Sequence, residues 1–294
     1  MTTNAVETTV CSAMRTVTIG AERPLVVIGE RLNPTGRARL TAAWSRGDMA
    51  LALRDAAAQE AAGADLLDIN VGVPGLDQAA LMRAAVTALQ EATTLPLCLD
   101  SADPAVLQAG LEVVRGKALV NSVNGEAARL DRVLPLVKDY GAAVIALTMD
   151  DDGIPASAEG RLRVAERILA RATATGIAAN DVVVDPITLA VGADSAAARV
   201  TLDAIALIRA ELGVNILLGT SNVSFGLPAR PALNATYLAL GMARGVTCAI
   251  ANPLDARTME TIRAADLCLG HDEWATRWIR ACRRAAQARS SAQG

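Results

Sequence analysis

The sequence predicts one (β/α)8 TIM barrel, an α/β fold in which every barrel strand is parallel. Three observations carry that expectation. From residue 25 onward, short apolar runs rich in Val, Ile and Leu alternate with longer helical patterns rich in Ala, Leu, Arg and Glu. Eight such strand-then-helix units can be counted, the number that closes a barrel. No Gly-x-Gly-x-x-Gly turn follows the first run, as an open dinucleotide-binding sheet would require. Composition agrees. Of 294 residues 52% are apolar but only 2% aromatic, so a large core must be built from Ala, Leu, Val and Ile. That is the makeup of helices packed on a buried parallel sheet.

Residues 1–23 precede the first strand and show weak β character at Thr16–Ile19. They are read as a short N-terminal extension, a plug or hairpin across the barrel bottom, with the barrel domain spanning 24–294. Its strands are expected at Leu25–Gly29, Asp65–Asn70, Pro96–Asp100, Ala118–Asn121, Ala143–Thr148, Val182–Asp185, Asn215–Leu218 and Val246–Ile250. Helices are expected between them, among them Met49–Ala62, Gln78–Ala92, Pro104–Val114, Ala158–Ala174 and Ala196–Glu211. Asp103-Pro104 reads as an N-cap followed by proline at the first helical position. Gly63, Gly141, Gly176 and Gly213 stand just before strands, where a helix end favours a left-handed residue. The basic, Arg-rich residues 271–288 are expected to form an extra C-terminal helix.

The net charge of −3 argues against nucleic acid and against an anionic membrane surface, both of which need a basic footprint. No apolar stretch reaches the roughly 18 residues of a membrane span, and Met1–Val10 lacks the build of a signal peptide. The five cysteines are scattered with no Cys-x-x-Cys pair, as expected of reduced thiols in a cytoplasmic protein. His271, near the C-terminus, is the only histidine, which argues against a His-based zinc site or a catalytic triad.

Several strand-like runs end in Asp or Asn, at Asp100, Asn121, Asp185 and Asn222. In a parallel barrel those ends form one rim, where active sites lie. Glu30, Asn33, Asp68, Asn70, Ser101, Ser122, Asn124, Thr148, Met149, Asp150, Ser221, Asn252 and Asp255 fall on the same rim. Many of these residue types also cap helices or close turns, and Asp77 and Asp103 are read as caps only. Capping does not require Asp or Asn as the last residue of a strand. A carboxylate there can accept two parallel hydrogen bonds from an amino group and an adjacent ring N–H, the edge that pterins and guanines present. A carboxamide such as Asn121 supplies a donor and an acceptor together. After the seventh strand, Gly219-Thr-Ser-Asn-Val-Ser224 offers amides and hydroxyls, and Arg230 is the nearest cation in sequence. The rim as a whole reads as poor in cations and ill suited to phosphate.

Seven segments in order resemble one family. They are Gly29-Glu-Arg-Leu-Asn-Pro-Thr-Gly36, Asp65-Leu-Leu-Asp-Ile-Asn-Val-Gly72, Leu97-Cys-Leu-Asp-Ser101, Val120-Asn-Ser122, Leu147-Thr-Met149, Val184-Asp-Pro186 and Thr220-Ser-Asn-Val-Ser224. The chain resembles the pterin-binding methyltransferases from about Val26 to Leu269. These include methyltetrahydrofolate:corrinoid protein methyltransferases and the folate module of cobalamin-dependent methionine synthase. The resemblance implies a dihydropteroate-synthase-like barrel, usually a homodimer. It implies that Asp100, Asn121 and Asp185 hold the pterin and that Asn222 reaches N5. Arg230 would lie near the benzoyl-glutamate side, and Asn33, Gly219, Ser221 and Phe225 would complete the folate site. Phe225 matches the methionine synthase module rather than the acetogen enzymes, which carry a polar residue there. The N-terminal extension is a second departure.

The implied reaction moves a methyl group between N5 of tetrahydrofolate and a corrinoid cobalt, with Asn222 as the catalytic residue and no bound metal. The sequence has no Asp-x-His-x-x-Gly cobalamin motif and no spare domain, so the corrinoid (cobalamin) would ride on a separate corrinoid protein. Dihydropteroate synthase is the rival enzyme, but it would need cations for a diphosphate, and the seventh strand ends in Thr220-Ser-Asn222 without Lys. A non-catalytic folate-binding protein is the rival of another class.

Overall fold

Two strands, β1 (Glu7–Cys11) and β2 (Thr16–Gly20), pair antiparallel as a hairpin ahead of the barrel. Eight parallel strands follow. They are β3 (Val26–Leu32), β4 (Leu66–Asn70), β5 (Leu97–Asp100), β6 (Leu119–Val123), β7 (Ala143–Leu147), β8 (Val182–Asp185), β9 (Asn215–Gly219) and β10 (Cys248–Ala251). They close in sequence order, β10 pairing with both β9 and β3. The computed structural model describes residues 6–291. Residues 1–5 of the expected extension and residues 292–294 of the expected barrel domain lie outside the described residues.

The helices are α1 (Ala38–Trp44), α2 (Ala50–Ala62), α3 (Gln78–Ala92), α4 (Pro104–Leu111), α5 (Ala127–Asp139), α6 (Ala158–Thr175), α7 (Ala197–Leu212), α8 (Arg230–Arg244), α9 (Ala256–Cys268) and α10 (Thr276–Ser291). Local chemistry sets many of their ends. Asp103 accepts from Ala105 N–H with Pro104 following, and Ser157 accepts from Gly160 N–H. Gly63 and Gly176 end α2 and α6 in the left-handed region, at φ 105° and 94°. The last helix starts at Thr276, not at residue 271. Trp274 and Ala275 take φ 57° and 54°, which interrupts a helix there, and the Asp272 carboxylate accepts from the Arg277 and Trp278 N–H groups. Among the described residues no helix is long and apolar enough to cross a membrane.

Strand periodicity divides the apolar residues into two cores. One set points outward against the helices, including Val27, Leu67, Leu99, Val120, Val144, Val184 and Leu218. The other points into the barrel, including Val26, Ile28, Leu66, Cys98, Leu119, Ile145, Val183, Leu217 and Cys248. Both faces are buried, so the strands read as continuous apolar runs with no visible alternation.

The hairpin closes the N-terminal end of the barrel. Val10, Val17 and Ile19 pack into the inner core. Asn215, the first residue of β9, donates to Val6 O, Thr8 Oγ1 and Ile19 O at 3.3, 2.9 and 3.0 Å. Ser12 donates to Thr94 O, and Cys11 bridges to Lys117.

At the other end, β3 runs three residues past its expected stop, with a register shift between Gly29 and Leu32. Gly29 is required there by close approach, since a Cβ would lie 2.5 Å from Gln59 Oε1. That same oxygen accepts from Arg31 N–H at 2.9 Å. The effect is to carry Glu30 and Arg31 onto the barrel mouth.

Candidate functional site

The inner core ends one layer below the mouth, and the period of two then sets what lies above it. Two residues past Leu66, Cys98, Leu119, Val183 and Leu217 come Asp68, Asp100, Asn121, Asp185 and Gly219. These positions point inward by the same pleat, so the strand-ending polar residues share one cavity of about 780 Å³. Asn33, Asp100, Asn121, Asp185, Gly219, Ser221, Asn222, Phe225 and Arg230 all line it.

The deep end is a chain of carboxylates and carboxamides. Asn121 Nδ2 donates to Asp68 Oδ1 at 3.2 Å, and Asn70 Nδ2 donates to Asp100 Oδ2 at 2.9 Å. Asp185 Oδ1 accepts from Ile187 N–H at 2.7 Å. Among the described residues, no group donates a hydrogen bond to Asp185 Oδ2 or Asp100 Oδ1. Burial pushes the Asp185 carboxyl up to about 6, against the Ile187 N–H and the Arg161 charge. Burial also raises Asp100, against the Asn70 hydrogen bond. Asp68 is raised by burial first and then by the Asp100 charge. Carboxylates held above their usual range in a cavity favour a ligand that brings hydrogen-bond donors.

Arg161 supports this end from behind. It is buried in α6, and its guanidinium donates to Pro155 O, Pro186 O, Ile187 O and Thr201 Oγ1 at 3.1, 2.8, 2.9 and 2.8 Å. These bonds pin the segment after β8, where the β-branched Ile187 takes a strained φ of 61°. They thereby fix the N–H that orients Asp185.

The β9 side of the mouth is a turn held by its own polar groups. Ser221 Oγ donates to Glu30 Oε1 at 2.9 Å, and burial raises the Glu30 carboxyl. Arg230, the first residue of α8, donates to Ser221 O and Ser224 Oγ at 2.8 and 3.1 Å. Ser224 Oγ in turn donates to Asn234 Oδ1 at 2.6 Å. Asn222 differs from these neighbours. It is exposed, and among the described residues no side-chain hydrogen bond holds its carboxamide. A Cβ on Gly219 would lie 3.9 Å from Asn222 Nδ2, so the amide hangs over the end of β9. Phe225 is 71% exposed, leaving its ring free on the rim.

Other rim residues are occupied locally. Asp77, Asp103 and Asp255 cap α3, α4 and α9. Asp150 pairs with Arg167. The expectation of a rim nearly free of cations is corrected, because Arg31 and Arg37 join Arg230 in the cavity wall. Barrel closure puts the segment after β3 beside the β9 turn, a neighbourhood that strand order alone does not display. Sequence reasoning also missed Arg161 and Asn234. The Glu30-Arg31 pair near the start of the first motif was the one available signal for Arg31.

A closed parallel barrel whose mouth gathers raised carboxylates and carboxamides suits a flat, hydrogen-bonding small molecule. Comparison with known proteins narrows the class. Residues 29–252 match the family described as pterin binding enzyme, and the chain belongs to that family. It is 30% identical over 264 residues to a methylcorrinoid:tetrahydrofolate methyltransferase of Eubacterium limosum, covering 88% of this chain and 96% of that protein. It is 35% identical over 245 residues to methionine synthase of Mycobacterium tuberculosis, covering 79% of this chain. There the chain spans about a fifth of the longer protein, 21% of its length. Among solved structures, dihydropteroate synthase from Xanthomonas albilineans in complex with 7,8-dihydropteroate superposes with a TM-score of 0.69 at 22% identity. That match covers 88% of this chain and 98% of the other, and it shows the shared barrel fold.

Proposed function

We propose that the chain moves a methyl group between N5 of tetrahydrofolate and the cobalt of a corrinoid carried by a separate protein. The observation that carries this reading is the end of β9. The carboxamide of Asn222, which has no side-chain hydrogen bond among the described residues, stands there above a cavity floored by raised carboxylates. The near full-length likeness to the Eubacterium limosum methyltransferase supports the same assignment.

Asp185 and Asp100 accept hydrogen bonds from the amino group and ring N–H of the pterin, and Asn121 meets an adjacent donor–acceptor pair. A ligand that donates to Asp185 favours the ionised carboxylate, offsetting its burial. Phe225 packs on the aromatic part of the folate. Arg230 attends the benzoyl-glutamate side, beside Asn33, Ser221 and Gly219. The docked corrinoid protein supplies a cobalt centre that takes the methyl group in one direction and returns it in the other.

For demethylation, the N5–CH3 bond would break in an SN2-type step as the methyl group passes to the partner protein's corrinoid, its electron pair staying on N5, which takes up a proton from solvent. A neutral amine leaves poorly, so N5 must be protonated or strongly hydrogen-bonded as the bond breaks. Asn222 swings inward to hydrogen-bond N5–H, stabilising charge as it develops rather than in the ground state.

The test is spectroscopic. The chain is mixed with 5-methyltetrahydrofolate and a reduced corrinoid protein from the same source, and the Co(I) absorbance is followed. Decay that depends on both folate and chain is expected. Folate binding without decay would replace this reading with that of a non-catalytic folate-binding protein.

A further inference from the structure

Arg129 is the third residue of α5 and is half-buried. A cation in a helix's first turn opposes the helix dipole, so α5 itself gives no reason for it. An ion pair gives none either, since among the described residues every pair is formed by other cations. Its guanidinium is directed instead at backbone carbonyls. Nη2 donates to Ser101 O at 2.8 Å, Nε donates to Ser122 O at 3.0 Å, and Nη1 donates to Ala102 O.

Each of these carbonyls lies just past a residue of the deep cavity. Ser101 and Ala102 follow Asp100, the last residue of β5, and Ser122 follows Asn121 in β6. The ladder is irregular where they stand. β5 stops at Asp100, and the β6–β7 register shifts between Asn121 and Val123. One guanidinium fork, with donors in a fixed plane, therefore ties together the two segments that carry Asp100 and Asn121. Arg161 makes the same kind of contact beyond Asp185, at Pro186 O and Ile187 O. Helices α5 and α6 thus each send one arginine to the carbonyls behind a strand-ending polar residue.

The Arg129 charge also acts on Asp100. Burial raises that carboxyl, and the Asn70 hydrogen bond and the Arg129 charge oppose the rise. The other titratable groups facing the two are Asp68 on β4, Cys98 on β5, Asp103 before α4, and Glu126 and Arg132 along α5. Arg129 does not line the main cavity, so it acts through Asp100 and Asn121 and not on a ligand.

We propose that Arg129 is a positioning residue for the pterin, setting the directions of Asp100 and Asn121 through the carbonyls that follow them. The inference rests on the folate reading above. Asp100 and Asn121 stand on separate strands, and a flat ring that meets both tolerates little change in the angle between them. The fork holds that angle, and its charge favours the form of Asp100 that accepts hydrogen bonds.

The experiment measures the dissociation constant of 5-methyltetrahydrofolate between about pH 5 and pH 8, beside urea unfolding. It compares wild type, Arg129→Met, which removes fork and charge, and Arg129→Lys, which keeps the charge without the fork. Wild-type affinity is expected to fall with acid as the carboxylates protonate. In Arg129→Met the midpoint of that fall should lie about one unit higher, the loss of one nearby opposite charge. Affinity below the midpoint should then be about tenfold weaker. Arg129→Lys should keep the wild-type midpoint and lose less affinity. Arg129→Gln, still able to donate to one carbonyl, serves the same comparison if the methionine variant does not fold. An unmoved midpoint in the uncharged variant overturns the proposal, because a purely structural role lowers stability without moving it. A lysine variant whose midpoint moves as far as methionine's overturns it too. Wild type that binds no folate at any pH removes the folate reading instead.

Discussion

At the N-terminal end of the barrel, Asn215 gives its amide protons to three acceptors in or beside the hairpin. There too Asp65 receives Arg15 and the Val27 N–H, at 2.9 and 3.0 Å. At the C-terminal end, Asp185 and Asp100 each keep an oxygen to which no described residue donates, and the Asn222 amide is unheld. The same eight strands thus end in opposite ways. One rim ties most of its polar groups within the chain, Asn215 Oδ1 being a buried exception, and the other leaves acceptors facing an open cavity. The difference marks the open end as the one whose acceptors remain within reach of a ligand.

The contrast makes five predictions. The largest effect is expected at the open end, where Asn222→Ala should slow methyl transfer by roughly 10²–10³-fold. Folate affinity should change far less. Stopped-flow rates beside equilibrium binding decide this, and equal losses in both would remove Asn222 from the transition state. At the closed end, Asn215→Leu strands Val6 O, Thr8 Oγ1 and Ile19 O, and should cost about 2–3 kcal/mol in urea unfolding. Folate affinity should be untouched; a weakened ligand site would break the separation of the two ends. Asp185→Ala should weaken folate binding by roughly 10–100-fold, the loss of a hydrogen bond to a charged group. Unchanged affinity there would refute the pterin assignment.

A subtler effect concerns pH. The Asp185 carboxyl sits at about 6 in the fold, above its ordinary value of 3.8. The native state therefore holds a proton that the unfolded chain has released, and ionisation costs stability above that window. The isosteric Asp185→Asn should have a higher melting temperature than wild type at pH 8. The gap should close as pH falls from about 6 towards 4. A gap independent of pH would mean the carboxylate is not strained by burial. The smallest change is Arg15→Met at the closed end. Its side chain is 38% exposed, so the loss should stay below about 1 kcal/mol.

Much of the barrel was legible because its signals are local. Asp103-Pro104 and Gly63 mark helix ends through their own backbone chemistry, and the structure places caps at both. The strand-ending Asp100, Asn121 and Asp185 were legible because capping cannot explain a polar residue that closes an apolar run. Asp68 was harder. It sits inside a strand, 3% exposed, and its partner Asn121 is 53 residues away. The expected start of the last helix at residue 271 failed because composition does not show a φ of 57° at Trp274.

The sequence by itself determined the order of strands and helices, the polar ends of the strands and the seven motifs. All of these depend on residues close together in the chain. Only the tertiary structure decided which of those ends carry unanswered charge. Ser221 meets Glu30 across 191 residues, and Arg31 and Arg37 reach the β9 turn only when β10 closes against β3. Closure is a long-range event, and burial, which raises the carboxylates, exists only after it.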